Sequence, residues 1–161
     1  MGKRRKAREC ALQILFQLEF NSTDRGVLLE KYWTYQKVAP ETRTYAVWLI
    51  ETFLAHQADV DGRIESASRN WRLARMAVVD RNVLRIAVCE LLFERTLVPA
   101  IVIDEAIEIA RKYSGPEAAQ FVNGVLDAVR KTLAEAPPSP EGHHEQAERP
   151  DRPRRPRRKD G

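Results

Sequence analysis

The residues best suited to chemistry in this chain are five cations within its first eight positions, Lys3, Arg4, Arg5, Lys6 and Arg8. Ammonium and guanidinium groups gathered on one edge attract polyanions, and phosphate backbones are the commonest polyanion. Of 27 basic and 23 acidic side chains, five and one lie in residues 1–9, and seven and six in residues 135–161. Residues 10–134 therefore hold 15 basic and 16 acidic side chains, so the body is nearly neutral and the net +4 sits at the entrance. A solvated terminus without a partner fits the run equally well.

Catalysis has little to work with. The histidines are His56, His143 and His144, and the last two fall in a proline-rich tail. His56 reads as a helix side chain rather than a base. No His or Cys cluster has metal-ligand spacing, and the seven glycines are scattered rather than gathered into a phosphate-cradling loop. Asp104, Glu105 and Glu108 form an acidic patch that a helix first turn explains through the helix dipole. Cys10 and Cys89 lie on apolar helical faces and read as small buried hydrophobes, which fits a reducing cytoplasm. The expectation is no enzyme, no cofactor and no metal. Recognition is better served. Unpaired RNA is bound by cations on phosphate and by flat side chains stacked on bases. Phe16, Tyr113 and Phe121 are the stacking candidates, and each also fits a core position. Tyr113 and Phe121 flank Ser114-Gly115-Pro116, a break that favours exposure.

The elements that must position these groups all read as helix. Ala7, Ala11, Ile14, Leu15 and Leu18 carry a first helix from Lys3 to about Phe20, followed by a turn over residues 21–26. Val27 to Val38 makes a second helix. Pro40 and Glu41 start a third, lined by Tyr45, Trp48, Leu49 and Phe53. Ala55 to Ala67 continues, bent near Asp59. Helix is also read in the segment from Trp71 to Glu94, where Asp80 suits a capping position and Val79 with Leu84 a hydrophobic staple. Pro99 precedes a helix through Ile103, Ala106, Ile107 and Ala110. Ser114 to Glu117 forms an S-x-x-E start signal for a last helix that fades by Ala136. The fold class is all-α, six or seven helices in one domain of residues 1–136. Residues 137–161, rich in proline and arginine, lack the apolar area to order themselves and are expected to be a disordered tail. No run approaches the roughly 20 apolar residues of a membrane span, and Glu9, Gln13, Gln17 and Glu19 interrupt any secretory signal.

Four blocks resemble the NusB family of bacterial transcription antitermination factors. They are Arg4 to Ala11, Val79 to Leu92, Asp104 to Ala110, and Ser114 to Asp127 with its Phe121-Val122-Asn123-Gly124 core. The resemblance covers about residues 4–134. It implies two three-helix bundles with the first helix at an RNA-binding edge. It also implies binding to the boxA element of ribosomal RNA leader transcripts, pairing with the ribosomal protein NusE, and entry into an RNA polymerase antitermination complex. Lys3 adjoins the arginine-rich motif that Arg4, Arg5, Lys6 and Arg8 match. Phe16, Tyr113, Glu117 and Phe121 match positions near the RNA surface, with Glu117 tuning affinity by repelling phosphate. Asp80 matches a position near the partner-protein surface. The family includes monomers and homodimers, so self-association stays open. Two other readings are a helical protein-interaction module and the accessory RNA-binding domain of a ribosomal RNA methyltransferase.

Overall fold

Seven α-helices, one 3-10 turn and no strand make up the described residues of the computed structural model, which are 2–135 except 22 and 70. The expected tail, 137–161, lies outside them. The helices are α1 (Gly2–Phe20), α2 (Arg25–Tyr35), α3 (Pro40–Ala55), α4 (Gln57–Ala67), α5 (Val78–Phe93), α6 (Pro99–Ser114) and α7 (Pro116–Glu135), with the 3-10 turn at Leu73–Arg75. Proline opens α3, α6 and α7, where its missing N–H would have had no intrahelical partner. Asp24 starts α2 by accepting from the N–H groups of Gly26 at 2.8 Å and Val27 at 3.3 Å. Gly115, at φ +98°, turns the chain from α6 into α7 in a conformation that disfavours any Cβ.

Helix α5 packs against α1, α3, α4, α6 and α7, so it joins an amino-terminal group, α1–α3, to a carboxyl-terminal group, α4–α7. Its Leu84 and Val88 are fully buried, and such side chains contribute roughly 1.5–3 kcal/mol each through burial. In α7, Ala118, Val122, Val125, Leu126 and Val129 share the inner face at helical spacing. The two-bundle, all-α expectation holds.

Several boundaries differ from the sequence reading. Helix α2 starts and stops earlier than Val27–Val38, because Asp24 caps it and Gln36 is extended. The bend expected near Asp59 is a break at His56. The stretch from Trp71 to Ala77 is a loop carrying the 3-10 turn rather than continuous helix. Helix α5 begins at Val78 after Ala77, so Asp80 lies inside the first turn and caps nothing, and Val79 with Leu84 has the wrong register for a staple. Ser114 ends α6 instead of capping α7, a shift of one residue from the S-x-x-E reading. The acidic group at 104–108 sits in the middle of α6, away from the helix start.

Candidate nucleic-acid interface

The cationic run occupies the first two turns of α1, and most of it is already engaged. Arg8 is buried and donates from Nε to Glu90 Oε1 at 2.7 Å and from Nη2 to Oε2 at 2.9 Å. Arg4 lies 3.8 Å from the centre of the Tyr45 ring, with Nη1 3.8 Å from Glu94. Arg4 and Arg8 are one turn apart on α1, as are Glu90 of α5 and Glu94, the residue that ends that helix. The pairs run in reverse order, 4 with 94 and 8 with 90, which sets the two helices antiparallel. Arg5 forks onto Glu105 of α6 from Nε at 2.8 Å and Nη2 at 3.0 Å. Lys3 reaches Glu41 of α3 at 3.5 Å. Lys6 has no ion-pair partner among the described residues.

Burial works against the Arg8 charge, but the hydrogen bond and charge of Glu90 outweigh it and Arg8 stays protonated. Tyr45 donates its hydroxyl to Glu90 Oε2 at 2.5 Å, and burial together with that bond raises its pKa. The hydrogen bond from Arg5 holds Glu105 below the usual carboxylate range despite desolvation. Side-chain exposure falls from 67% at Lys3 through 47% at Arg4 and 36% at Arg5 to 4% at Arg8. Arg8, expected at the RNA edge, is instead buried, with Nε and Nη2 on Glu90 and Nη1 3.6 Å from Glu105. Arg8 lies beneath the amino end of α1, where Lys3 and Arg4 are exposed and Arg5 and Lys6 half-buried. Arg5 keeps Nη1 free of hydrogen bonds among the described residues.

Tyr113 comes to the same helix. Its hydroxyl accepts from Gln13 Nε2 at 3.4 Å, while Gln13 Oε1 accepts from Tyr32 at 2.8 Å. Beside it, Lys112 donates to Glu9 at 2.8 Å. Phe16, one turn beyond Gln13, is exposed and packs at 5.0 Å on Phe20, an aromatic that the sequence reading passed over. Phe121 is half-buried against the core, and Glu117 is exposed in the first turn of α7. Among the described residues no hydrogen bond or ion pair ties Glu117 to the basic run. Asp80 is half-buried, and its Oδ1 has no hydrogen-bond partner among the described residues.

The far end of α1 is fixed by a second network. Glu19 receives Arg81 Nε at 2.9 Å and Arg85 Nη1 at 2.7 Å, while Arg85 also forks onto Asp61 of α4 at 2.9 and 3.0 Å. Among the described residues no cluster of His, Cys, Asp and Glu can hold a metal. Burial pushes the Cys89 thiol up to about 12. His56 is exposed and stacks on Phe93 at 4.4 Å.

The pattern of the NusB family matches residues 5–131. The transcription antitermination protein NusB of Solibacter usitatus is 43% identical over 143 residues, covering 86% of this chain and 97% of its own. A chain in the crystal structure of the antitermination factors NusB and NusE in complex with double-stranded RNA superposes with a TM-score of 0.74 at 29% identity, covering 82% of this chain and 98% of that one. NusB of T. maritima does so with a TM-score of 0.70 at 39% identity, over 80% and 90% of the two chains. No helix among the described residues is long and apolar enough to cross a membrane.

Proposed function

This chain belongs to the NusB family of transcription antitermination proteins, and on that footing we propose that it is an RNA-binding adaptor for boxA leader transcripts. It works in the cytoplasm with NusE and enters the RNA polymerase antitermination complex. The observation that carries the reading is the amino edge of α1, where Lys3, Arg4, Arg5 and Lys6 reach solvent while Arg8 anchors the helix below them. Phosphates bind along that edge, and Tyr113 and Phe16 offer flat faces to unpaired bases. Phe121 and Glu117 border the RNA from α7, and Asp80 belongs to the protein-docking side. The solved NusB–NusE assembly with RNA supports both partners by similarity. No covalent step is involved.

A gel shift with boxA RNA, with and without purified NusE, tests the adaptor. Complex formation that strengthens with NusE is the expected result. Docking of NusE without any RNA complex would instead favour a protein-interaction module. Lys3, Arg4 and Lys6 on phosphate, with Arg5 partly neutralised by Glu105, give a log–log salt slope between about −2 and −3, at about 0.7 per contact. Replacing Lys3, Arg4, Arg5 and Lys6 with alanine flattens it. An unchanged slope removes the edge from the mechanism.

A further inference from the structure

The loop between α4 and α5 gathers what the amino edge lacks. Arg69, Arg72 and Arg75 are all exposed, and none has an ion-pair or side-chain hydrogen-bond partner among the described residues. Between them Trp71 leaves 55% of its surface in solvent, against 6% for Trp33. An exposed indole, flanked in sequence by three guanidinium groups unpaired among the described residues, has the composition of a single-strand contact, cations for phosphate and an aromatic face for a base. An acidic peptide would use the arginines but leave the indole idle, so RNA is the better fit.

The loop is built rather than slack. Arg69 adopts φ +43°, a left-handed conformation that a side chain of this size rarely takes. The turn lets the Ser68 hydroxyl donate to the Trp71 carbonyl at 2.8 Å while the Trp71 N–H donates to the Ser68 carbonyl at 3.2 Å. Glu65, the carboxylate that precedes the loop on α4, accepts from the Leu73 N–H at 3.2 Å and pairs with no arginine among the described residues. Leu73 and Met76 point into the core, and their spacing turns Arg72 and Arg75 outward. Arg81 donates to the Met76 carbonyl at 3.1 Å and also pairs with Glu19, which ties the loop to the carboxyl end of α1. The basic run lies at the other end of that helix. At 1.5 Å per residue, Arg5 and Glu19 are separated by roughly 20 Å along the axis.

We propose that this arginine–tryptophan loop is a second contact for the same RNA, holding a single-stranded flank beyond boxA by stacking on Trp71 and phosphate contacts from Arg69, Arg72 and Arg75. It rests on the RNA-binding reading above, and the experiment separates the two. The full chain is titrated with boxA RNA alone and with boxA RNA extended by an unstructured flank. Trp71→Ala weakens the extended RNA about tenfold, within the range of one base stacked on an aromatic side chain. It leaves boxA alone unchanged. Trp71→Phe retains most of the affinity. Changing the three arginines to glutamine reduces the salt slope on extended RNA by about 2. Quenching of tryptophan emission by the extended RNA is lost in Trp71→Phe.

Equal affinity of wild type and variants for the extended RNA overturns the second contact while boxA binding stands. Equal loss on both RNAs with a lowered melting temperature overturns it too, since the loop then acts on the fold. Failure of the wild type to bind either RNA overturns the boxA reading and this one together.

Discussion

The amino edge of α1 and the loop between α4 and α5 are both rich in arginine, yet their charges are in different states. At the edge, carboxylates from three other helices meet the cations: Glu41 of α3, Glu90 of α5 and Glu105 of α6, with Glu94 just beyond α5. In the loop, no carboxylate meets Arg69, Arg72 or Arg75 among the described residues. A run of like charge in sequence therefore overstates the free charge it presents. The edge exchanges part of its attraction for preorganisation, because a guanidinium held in a fork loses less freedom when a phosphate arrives.

The largest separation between the two regions lies in stability. Arg8→Ala strands Glu90 in the interior, and removing one partner of a buried pair costs about 3–5 kcal/mol. Arg72→Ala, on an exposed side chain, stays within about 0.5 kcal/mol. Urea unfolding of both variants checks this, and equal midpoints would erase the distinction. A smaller contrast is expected between the aromatics. Phe121→Ala removes a half-buried ring from the core margin and lowers stability by about 2 kcal/mol. Trp71→Ala, more than half exposed, moves the unfolding midpoint less.

Helices were legible because burial imposes a period of 3.6 residues, and α7 repeats it through Ala118, Val122, Val125 and Val129. Starts were less legible where the first turn is not the periodic part. Helix α5 opens with Val78 and Val79 before its inner face begins, which made Asp80 look like a cap. The burial of Arg8 was hidden because Glu90 lies far away in sequence. The signal that existed was the matched one-turn spacing of Arg4 with Arg8 and of Glu90 with Glu94, which is readable only once α1 and α5 are known to be neighbours. The Trp71 loop reads in sequence as the start of a helix, because the period that Val83 to Leu92 carries is extended back over a short irregular segment that has none of its own. Its exposure is a tertiary fact set by Leu73 and Met76.

Acid separates the regions next. The Arg5 hydrogen bond lowers the Glu105 pKa, and the Thr96 hydroxyl, followed at smaller weight by Arg4, lowers that of Glu94. A carboxylate whose folded pKa is depressed adds stability above its unfolded value, near about 4.3 for glutamate, and that contribution fades as pH falls through the folded value. The unfolding midpoint is expected to hold from pH 7 to about 5 and decline below about 4.5. Glu105→Gln makes that acid limb shallower, while Arg72→Gln leaves it as in the wild type. An unaltered limb in Glu105→Gln would mean that the Arg5 pair is not formed in solution.

The finest test asks whether the paired edge holds charge in reserve. In Glu105→Gln the amide oxygen still accepts from Arg5, so the side chain keeps a partner, but the countercharge is gone. Arg5 then meets phosphate as a full cation instead of one partly neutralised by Glu105, and the RNA salt slope steepens by up to about 0.7, the share of one contact. Glu65→Gln is the matched change beside the loop. Glu65 accepts from a backbone N–H and neutralises no arginine, so the slope there stays where it was. Equal slopes for wild type and Glu105→Gln would place Arg5 outside the RNA contact and leave Lys3, Arg4 and Lys6 as the working edge.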